Sequence, residues 1–516
     1  MKKQIYNIFL AFLFLVPTLL QAQQQNVHPC GTPPVKSDWL KDYQRHPHHY
    51  RSGADTVLYM PLTIHLLGND NGAGHTSIMK TLDGICQLND DFAVSDAHIL
   101  YYIEGNFNYI DSSAWNNHSA ILSGYQMMMA NNIPNTINNY IVSNPAGNAG
   151  YNLPSAKAVA IGKTFLSPGR HVWSHEIGHN LSVQHPFLGW EGNPYSYSTP
   201  TPTQVVYNYT SFKPTWHNSA DTTILDTAFV ELMDGSNCTF AADGFCDTKP
   251  DYLTSGGWNC DANGLSLTQL KDPNNVDFKA DATNFMAYAN DACGANFSVE
   301  QIAAMRANIF ATKSSYLYNQ NPTRDTITEP ITQNYPTQGE IVNYLAVDFN
   351  WSHADGATHY AFEVSLTPNF SIIIADMLTT DTTATVGQLF NNRTLYWRVK
   401  PFNQGYTCAS KSQSFQFVTA DLTSIQDVKS IEQYRVYPNL INGGQLINID
   451  LVVEKTLDAQ VMLFSSNGQL VQQENIELQQ GFNNHRLATS SLSAGMYVLV
   501  INTEEGTIRD KIVIIE

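Results

Sequence analysis

The most informative part of this sequence is the run His175-Glu176-Ile177-Gly178-His179-Asn180-Leu181-Ser182-Val183-Gln184-His185. On an α-helix, residues four apart share a face, so His175 and His179 can direct their imidazoles at one metal ion. Glu176 then lies beside them, within reach of a water in an open coordination position. His185 cannot share this face, so we expect the chain to turn near Ser182 and to return His185 as a third ligand.

These residue types at these spacings rarely arise by accident. At ordinary abundances of His and Glu, the four positions coincide in about one chain in a thousand of this length. A lone histidine is usually structural, whereas three with the glutamate indicate a zinc site in which Glu176 is the general base. Zinc lowers the pKa of a bound water and polarises a carbonyl, so the pattern predicts a hydrolytic enzyme.

A second signature, Asn284-Phe285-Met286-Ala287-Tyr288, lies about 100 residues downstream. Together the two runs resemble the metzincins, with their His-Glu-x-x-His-x-x-Gly-x-x-His motif and methionine turn. The resemblance implies that Met286 forms the apolar floor of the site and that Tyr288 approaches the metal or donates to a tetrahedral oxyanion. For Met286 alone, ordinary core packing is the alternative. Ser182 replaces the family's usual glycine, at a cost on the order of 1–2 kcal/mol if the turn is left-handed.

Among metzincins, the chain is most similar to the pappalysins, including their cytophagalysin-like members. The similarity spans roughly residues 52–318 and rests on the Asn-Phe-Met-x-Tyr-x-x-Asp-x-Cys run, on His-Pro-Phe after the histidine motif, and on residues 243–248. It implies a two-lobed α+β endopeptidase domain, a mixed sheet with helices, an active-site helix and a Met-turn, that cuts proteins or peptides. It also implies two disulfides in the lower lobe, whose pairing stays open, and calcium binding nearby. The candidate cysteines are Cys238, Cys246, Cys260 and Cys293, and the candidate calcium ligands are Asp243 and Asp247.

The polar stretch at 23–51 is interpreted as a pro-segment. Seven cysteines leave at least one thiol unpaired, and Cys30, ahead of any recognisable core, is the candidate. A thiolate is a good zinc ligand, so Cys30 can fill the open position and keep a precursor latent, as related zymogens do. The alternative is a stray or dimer-forming thiol. Arg51 marks a plausible activation point.

The 516 residues exceed one ordinary domain, and the pattern predicts a catalytic domain at 52–320 followed by two β-sandwiches. Between 331 and 420, Trp351 and the Tyr-Trp-Arg-Val strand resemble a fibronectin type III domain, with another sandwich type as the alternative. From 434 to 516, the Tyr-Pro-Asn opening and the Ser-Ala-Gly-x-Tyr strand resemble the C-terminal sorting domain of type IX secretion, with a generic sandwich as the alternative. In the catalytic domain we expect strands at 57–66, 99–103, 135–142 and 156–161, and helices at 77–92 and 171–182.

The first 22 residues predict export. Lys2 and Lys3 precede an apolar run that ends at Leu20 and is shorter than the roughly 20 residues of a membrane span, which is typical of a secretory signal peptide. A net charge of −18 argues against nucleic acid or an anionic membrane as partner. No later stretch is apolar enough to cross a bilayer. We therefore expect a secreted or cell-surface protein whose partners are protein substrates and the type IX secretion machinery.

Two other functions stay open at this point. The chain could be a surface adhesin or binding protein whose zincin domain is inactive, or it could be another zinc hydrolase such as an amidase. The intact Glu176 and the three histidines favour an active endopeptidase, because an inactive site is free to lose them.

Overall fold

The computed structural model describes residues 28–51, 53, 56–191, 193–208, 225–420, 428–466, 468–490 and 492–515. The predicted signal peptide, the first residues of the predicted pro-segment and Ser52 lie outside the described residues. The chain forms two compact units. The first contains Met1–Glu329, Ala354–Ala361 and Lys400–Ser410, and the second contains Pro330–His353, Phe362–Val399 and Lys411–Glu516.

The first unit is built from a mixed sheet, short helices and long irregular segments. Its elements in chain order are β1 (His28–Cys30), α1 (Asp38–Arg45), β2 (Leu58–Gly68), α2 (Ile78–Val94), β3 (Ile99–Ile103), β4 (Asn108–Asp111), α3 (Ser113–Asn116), β5 (Asn117–His118), α4 (Ile121–Asn131), β6 (Ile137–Val142), β7 (Asn144–Pro145), β8 (Asn148–Leu153), β9 (Ala158–Gly162), α5 (Val172–Asn180), β10 (Gln204–Asn208), β11 (Leu225–Phe229), β12 (Leu270–Lys271), β13 (Asp277–Phe278) and α6 (Val299–Thr312).

The main sheet has seven described strands in the order β1-β8-β9-β6-β2-β3, with β4 also paired to β2. All eleven residues of β2 are buried, and its neighbours β3, β4 and β6 run parallel to it. A strand that is covered on both faces is expected to have a nearly continuous apolar sequence, and the sequence of β2 is mostly apolar. The sheet therefore supplies the rigid centre of the unit.

The strand β8 reverses direction at one side of this sheet. It pairs antiparallel with β9, and β1 adds to its other edge in the parallel sense. The helix α5 packs on β8 and β9, and α2 packs on α5. The side of the sheet near β8 consequently holds both the histidine helix and the N-terminal segment.

The segment between α5 and α6 has little regular structure. It contains the hairpins β10–β11 and β12–β13 and the disulfides Cys238–Cys246 and Cys260–Cys293. These are the four cysteines that the sequence assigns to this region, and the structure supplies their pairing. Disulfides are expected in a segment that has few backbone hydrogen bonds of regular secondary structure to stabilise it.

A third disulfide joins Cys86 of α2 to Cys408. Cys408 lies in the 400–410 segment of the first unit, where Lys400 also pairs with Asp83 at 2.9 Å. The bridge spans 322 positions, and closing so long a loop destabilises the unfolded chain by up to about 6 kcal/mol in the chain-entropy model.

From residue 333 onward, the helices and strands of the described residues are all strands. Residues 333–420 form sheets in the orders β14-β16-β19 and β15-β21-β20-β17-β18 around a core that includes Trp351 and Trp397. The strands are β14 (Gln333–Tyr335), β15 (Glu340–Asn343), β16 (Ala346–Trp351), β17 (His359–Ser365), β18 (Ile373–Thr379), β19 (Thr383–Gly387), β20 (Thr394–Phe402) and β21 (Phe415–Ala420).

The C-terminal strands form a second sandwich. Its sheets have the orders β22-β24-β27 and β23-β29-β28-β25-β26, and alternate residues of β24 and β25 enter one apolar core. The strands are β22 (Ile431–Tyr437), β23 (Leu440–Asn442), β24 (Leu446–Val453), β25 (Leu457–Ser465), β26 (Leu470–Leu478), β27 (Gly481–Ala488), β28 (Gly495–Thr503) and β29 (Gly506–Ile515).

Candidate metal centre

The helix α5 and the turn after it bring the three histidines together. His175 and His179 lie one turn apart on α5, which ends at Asn180. Ser182 then adopts a left-handed conformation, with φ of 75°, and the chain folds back through a bond from Val183 N to Gly178 O. This conformation costs a serine on the order of 1–2 kcal/mol, and the bond from Asn308 Nδ2 to Ser182 Oγ offsets part of it.

The Nε2 atoms of the three histidines face one another. They are 3.2 Å apart between His175 and His179, 3.2 Å between His175 and His185, and 3.0 Å between His179 and His185. Nδ1 of His175 lies 2.8 Å from Phe285 O, and Nδ1 of His179 lies 2.8 Å from Val183 O. Because a carbonyl only accepts, both Nδ1 atoms donate, and the Nε2 lone pairs converge.

Convergent lone pairs at this separation repel unless a cation lies among them. Burial lowers the pKa of His175 to about 4 and lowers the pKa of His179 well below its ordinary value, which favours the neutral rings that a metal requires. The Sγ of Cys30 and the three imidazole nitrogens all lie within 4.8 Å of one another. Three imidazoles with a thiol form a donor set that suits zinc. These residues therefore fit the predicted metal.

Glu176 lies on the same helix, fully buried beside the histidines. Its Oε2 accepts from Thr32 Oγ1 at 2.8 Å. A Cβ on Gly150 of β8 would lie 2.9 Å from Glu176 Cγ, so only glycine leaves room for the carboxylate there. Burial raises the pKa of Glu176 to about 8, against the lowering effect of the Thr32 hydrogen bond. A carboxyl at this depth ionises readily beside a positive charge, which a metal among the imidazoles supplies.

The N-terminal segment passes directly over the site. Gly31 N donates to Gly150 O at 2.9 Å, in continuation of the β1–β8 pairing. Thr32 Oγ1, besides donating to Glu176, accepts from Asn152 N at 2.7 Å. The Cys30 thiol is buried, and burial together with the charge of Glu176 raises its pKa well above the ordinary value. The segment thus brings a thiol to the three imidazoles and a hydroxyl to the carboxylate.

Met286 lies beneath the helix, where the resemblance implied an apolar floor. It is fully buried, and a Cβ on Gly178 would lie 2.6 Å from Met286 Sδ. The glycine of the His-Glu-Ile-Gly-His run therefore allows the methionine sulfur to touch the helix backbone. The Met-turn itself stays a prediction.

Tyr288 is buried against the histidines. Its ring centroid is 4.8 Å from that of His185 and 6.0 Å from that of His175. Its hydroxyl donates to Cys30 O at 3.4 Å. The hydroxyl proposed to assist catalysis is therefore engaged by the N-terminal segment.

Asp243 and Asp247, the candidate calcium ligands, have different surroundings. Asp247 accepts from Ser298 Oγ and Glu300 N at the start of α6, and Asp243 is buried with its Oδ1 accepting from Phe245 N and Thr248 Oγ1. Among the described residues, the groups of three or more His, Cys and carboxylate ligands that could share an ion do not include either aspartate. Calcium at this place stays a prediction.

Glu191 is a site residue that the sequence pattern missed. It is buried, its Oε1 lies 3.0 Å from His185 Nδ1, and its Oε2 accepts from Gly189 N at 2.7 Å. The carboxylate fixes the third histidine in the same tautomer as the other two, as carboxylates behind metal-binding histidines do. Burial raises the pKa of Glu191 to about 8, and a cation held by His185 favours its ionised form.

We expect Glu191→Gln to weaken zinc binding by about 10–100-fold, because the amide keeps the shape but loses the charge that orients and polarises His185. Competition with a metal-binding indicator measures the affinity. Glu231→Gln, which changes a buried carboxyl of the same unit outside the histidine cluster, should leave the affinity unchanged. Equal zinc affinity in Glu191→Gln and the wild type would contradict this assignment.

The comparison with protein families matches the C-terminal sandwich. Residues 435–515 match the family model described as "Secretion system C-terminal sorting domain". This confirms the sorting domain predicted at 434–516. The protein is secreted or lies at the cell surface, and the sorting domain points to the secretion machinery as its partner in export.

Solved structures give weaker likenesses. The fibronectin(III)-like modules of Clostridium thermocellum CbhA are 9% identical, with 36% of this chain and 92% of that chain covered and a TM-score of 0.18. The FN1-FN3 domains of chicken CNTN1 are 11% identical, with 37% and 65% covered and a TM-score of 0.18. Scores this low add nothing to the strand order described above. No curated protein matches the chain.

One predicted absence concerns the membrane. Within the described parts of the chain, no helix has both the length and the apolar character needed to cross a bilayer.

Proposed function

We propose that this protein is a secreted zinc endopeptidase of the metzincin type, similar to the pappalysins and made as a latent precursor. The observation that carries the proposal is the convergence of three neutral imidazole nitrogens beside the buried carboxylate of Glu176. Histidine clusters that serve only packing donate and accept with their neighbours, whereas here the three Nε2 atoms lie 3.0–3.2 Å from one another, and the Cys30 Sγ lies within 4.8 Å of the three imidazole nitrogens.

His175, His179 and His185 would hold the zinc. When bound, zinc supplies a Lewis acid that polarises the scissile carbonyl and makes water acidic near neutral pH. Glu176 takes the proton of the attacking water and returns it to the leaving amine, the task of a general base whose pKa lies near the working pH. Tyr288, once released from Cys30 O, donates to the oxyanion of the tetrahedral intermediate. Met286 supports the helix from below.

Latency rests on the contacts of residues 30–32. Cys30 would supply its thiol as a further ligand beside the three imidazoles, and Thr32 holds the carboxylate that must receive a proton. Removal of the pro-segment would free both positions together. The sequence places the corresponding cut near Arg51.

The proposal is tested on the chain from residue 23 to 516, before and after removal of residues 23–51. We expect about one zinc per chain and cleavage of a denatured protein by the processed form. A chelator should abolish cleavage because it removes the ion that activates water, and added zinc should restore it. Mass spectrometry of the fragments and metal analysis give the readouts.

Two results would contradict the proposal. A processed chain that binds zinc but cuts no protein would favour the adhesin with an inactive zincin domain. Cleavage that survives full removal of metal would exclude the assigned site as its source.

A further inference from the structure

A cavity of about 790 Å³ opens beside the histidines in the first unit. His175 and Tyr288 form part of its lining, so a group bound there lies next to the metal position. Of the described residues in 28–51, none lines it. The cavity is therefore a separate space from the one that Cys30 and Thr32 occupy.

Part of the cavity wall is apolar, and much of the remainder consists of uncharged polar residues such as Thr254, Ser255 and Asn290. Val172 of α5, the rings of Phe165 and Phe285, and the small side chains of Ala149, Ala282 and Ala289 contribute to it. The alanines leave space that larger residues would fill. Such a wall favours a large side chain with apolar surface, since transfer of that surface from water is favourable.

The charged groups of the wall neutralise one another. Arg170 Nη1 lies 2.7 Å from Asp291 Oδ2, and Asp291 Oδ1 accepts from His171 N at 3.1 Å. The Arg170 guanidinium also lies over the Phe165 ring, 6.0 Å from its centroid. His171 pairs with Asp91 of α2 at 2.9 Å. A charged side chain entering the cavity would lose its hydration without finding an unpaired opposite charge.

We propose that this cavity receives the side chain of a substrate residue that flanks the scissile bond, and that the Arg170–Asp291 pair makes it select large neutral side chains. The inference rests on the proposed peptidase function and names its substrate class. Arg170 is a specificity-determining residue because it neutralises Asp291. Without Arg170, an aspartate at the cavity wall attracts lysine or arginine, and without the aspartate charge, Arg170 attracts glutamate or aspartate.

The test uses the processed wild-type enzyme, Arg170→Ala and Asp291→Asn on a peptide library in which both positions flanking the cut are varied. Wild type should prefer large neutral residues such as Phe, Leu, Met and Tyr at one of the two positions by roughly tenfold over charged ones. At that same position, Arg170→Ala should gain about tenfold in kcat/KM for Lys and Arg relative to Leu. Asp291→Asn, which keeps the acceptor for His171 N, should shift the preference towards Glu and Asp.

Each comparison is a ratio within one variant, so a partial loss of folded enzyme does not alter it. Arg324→Ala, which removes an arginine outside the cavity lining, should keep the wild-type profile. A wild type that cleaves but shows no preference, or a basic one, overturns this inference and leaves the proposed function intact. So do Arg170→Ala and Asp291→Asn profiles that match wild type. A processed wild type that cleaves nothing overturns the proposed function and this inference with it.

Discussion

Glu176→Gln should lower the kcat/KM of the processed enzyme by about a thousandfold while leaving its zinc content unchanged. General-base catalysis contributes roughly 10²–10⁴ to a rate, and the amide cannot take a proton from water at the working pH. Glutamine is nearly isosteric with the fully buried glutamate, and Gly150 leaves the same room for it. The proposed zinc ligands lie on other side chains, so we expect metal binding not to depend on the carboxylate.

The measurement is kcat/KM on a peptide substrate, together with metal analysis and thermal unfolding of the same preparations. Glu104→Gln, a carboxylate of the first unit outside the site, serves as the matched control and should retain wild-type activity. A Glu176→Gln enzyme with one zinc, a normal unfolding temperature and wild-type kcat/KM would show that another group accepts the proton. If zinc were lost along with activity, Glu176 would instead be assigned as a residue that holds the metal.

The histidine run could be interpreted from sequence because its information is local. A helix repeat of 3.6 residues fixes the relation of His175 to His179, and the spacing to His185 then requires a turn. The structure places that turn at Ser182 with the left-handed backbone for which the serine is poorly suited. The helix ends at Asn180 rather than 182, which is the scatter expected at helix ends.

Other features could not be predicted from the sequence because they depend on contacts between distant parts of the chain. The strand β8 has small and polar residues without clear alternation, and its identity comes from pairing with β9 and β1. Glu191 follows His185 in an irregular segment, where the number of intervening residues does not predict the direction in which a side chain points. Cys86 and Cys408 are 322 positions apart, and only the fold brings them together. The helix α6 could have been predicted from a local signal, the Ser298–Gln301 capping box at its start.

The N-terminal segment makes two contacts at the site, and only the one made by Cys30 could be predicted from the sequence. Zinc chemistry and the likeness to related zymogens predict Cys30 near the metal, whereas the bond from Thr32 to Glu176 follows from the way residues 28–32 run along β8. Two positions needed for catalysis are thereby engaged by residues two apart in sequence. The two contacts are chemically distinct and can be removed one at a time.

Cys30→Ala should raise the activity of the uncleaved precursor by about two orders of magnitude, because a metal-bound thiolate is a tight ligand and alanine offers none. Cys30→Ser, which keeps the size and polarity but is a poor zinc ligand, should behave similarly. Thr32→Val should have a smaller effect, since it frees Glu176 but leaves the fourth position filled. The combined variant should exceed either one, because the two contacts act on different groups.

Activity alone does not separate lost ligation from a loosened segment, so the metal must be observed directly. With cobalt in place of zinc, the wild-type precursor should show a thiolate-to-metal charge-transfer band that is absent from Cys30→Ala and from the processed enzyme, and that persists in Thr32→Val. If the wild-type precursor lacks the band, Cys30 is not a ligand and the thiol is a buried structural one. If the band is present but Cys30→Ala is no more active than wild type before cleavage, the pairing of β1 with β8 keeps substrate out on its own, and latency is steric rather than a consequence of metal ligation.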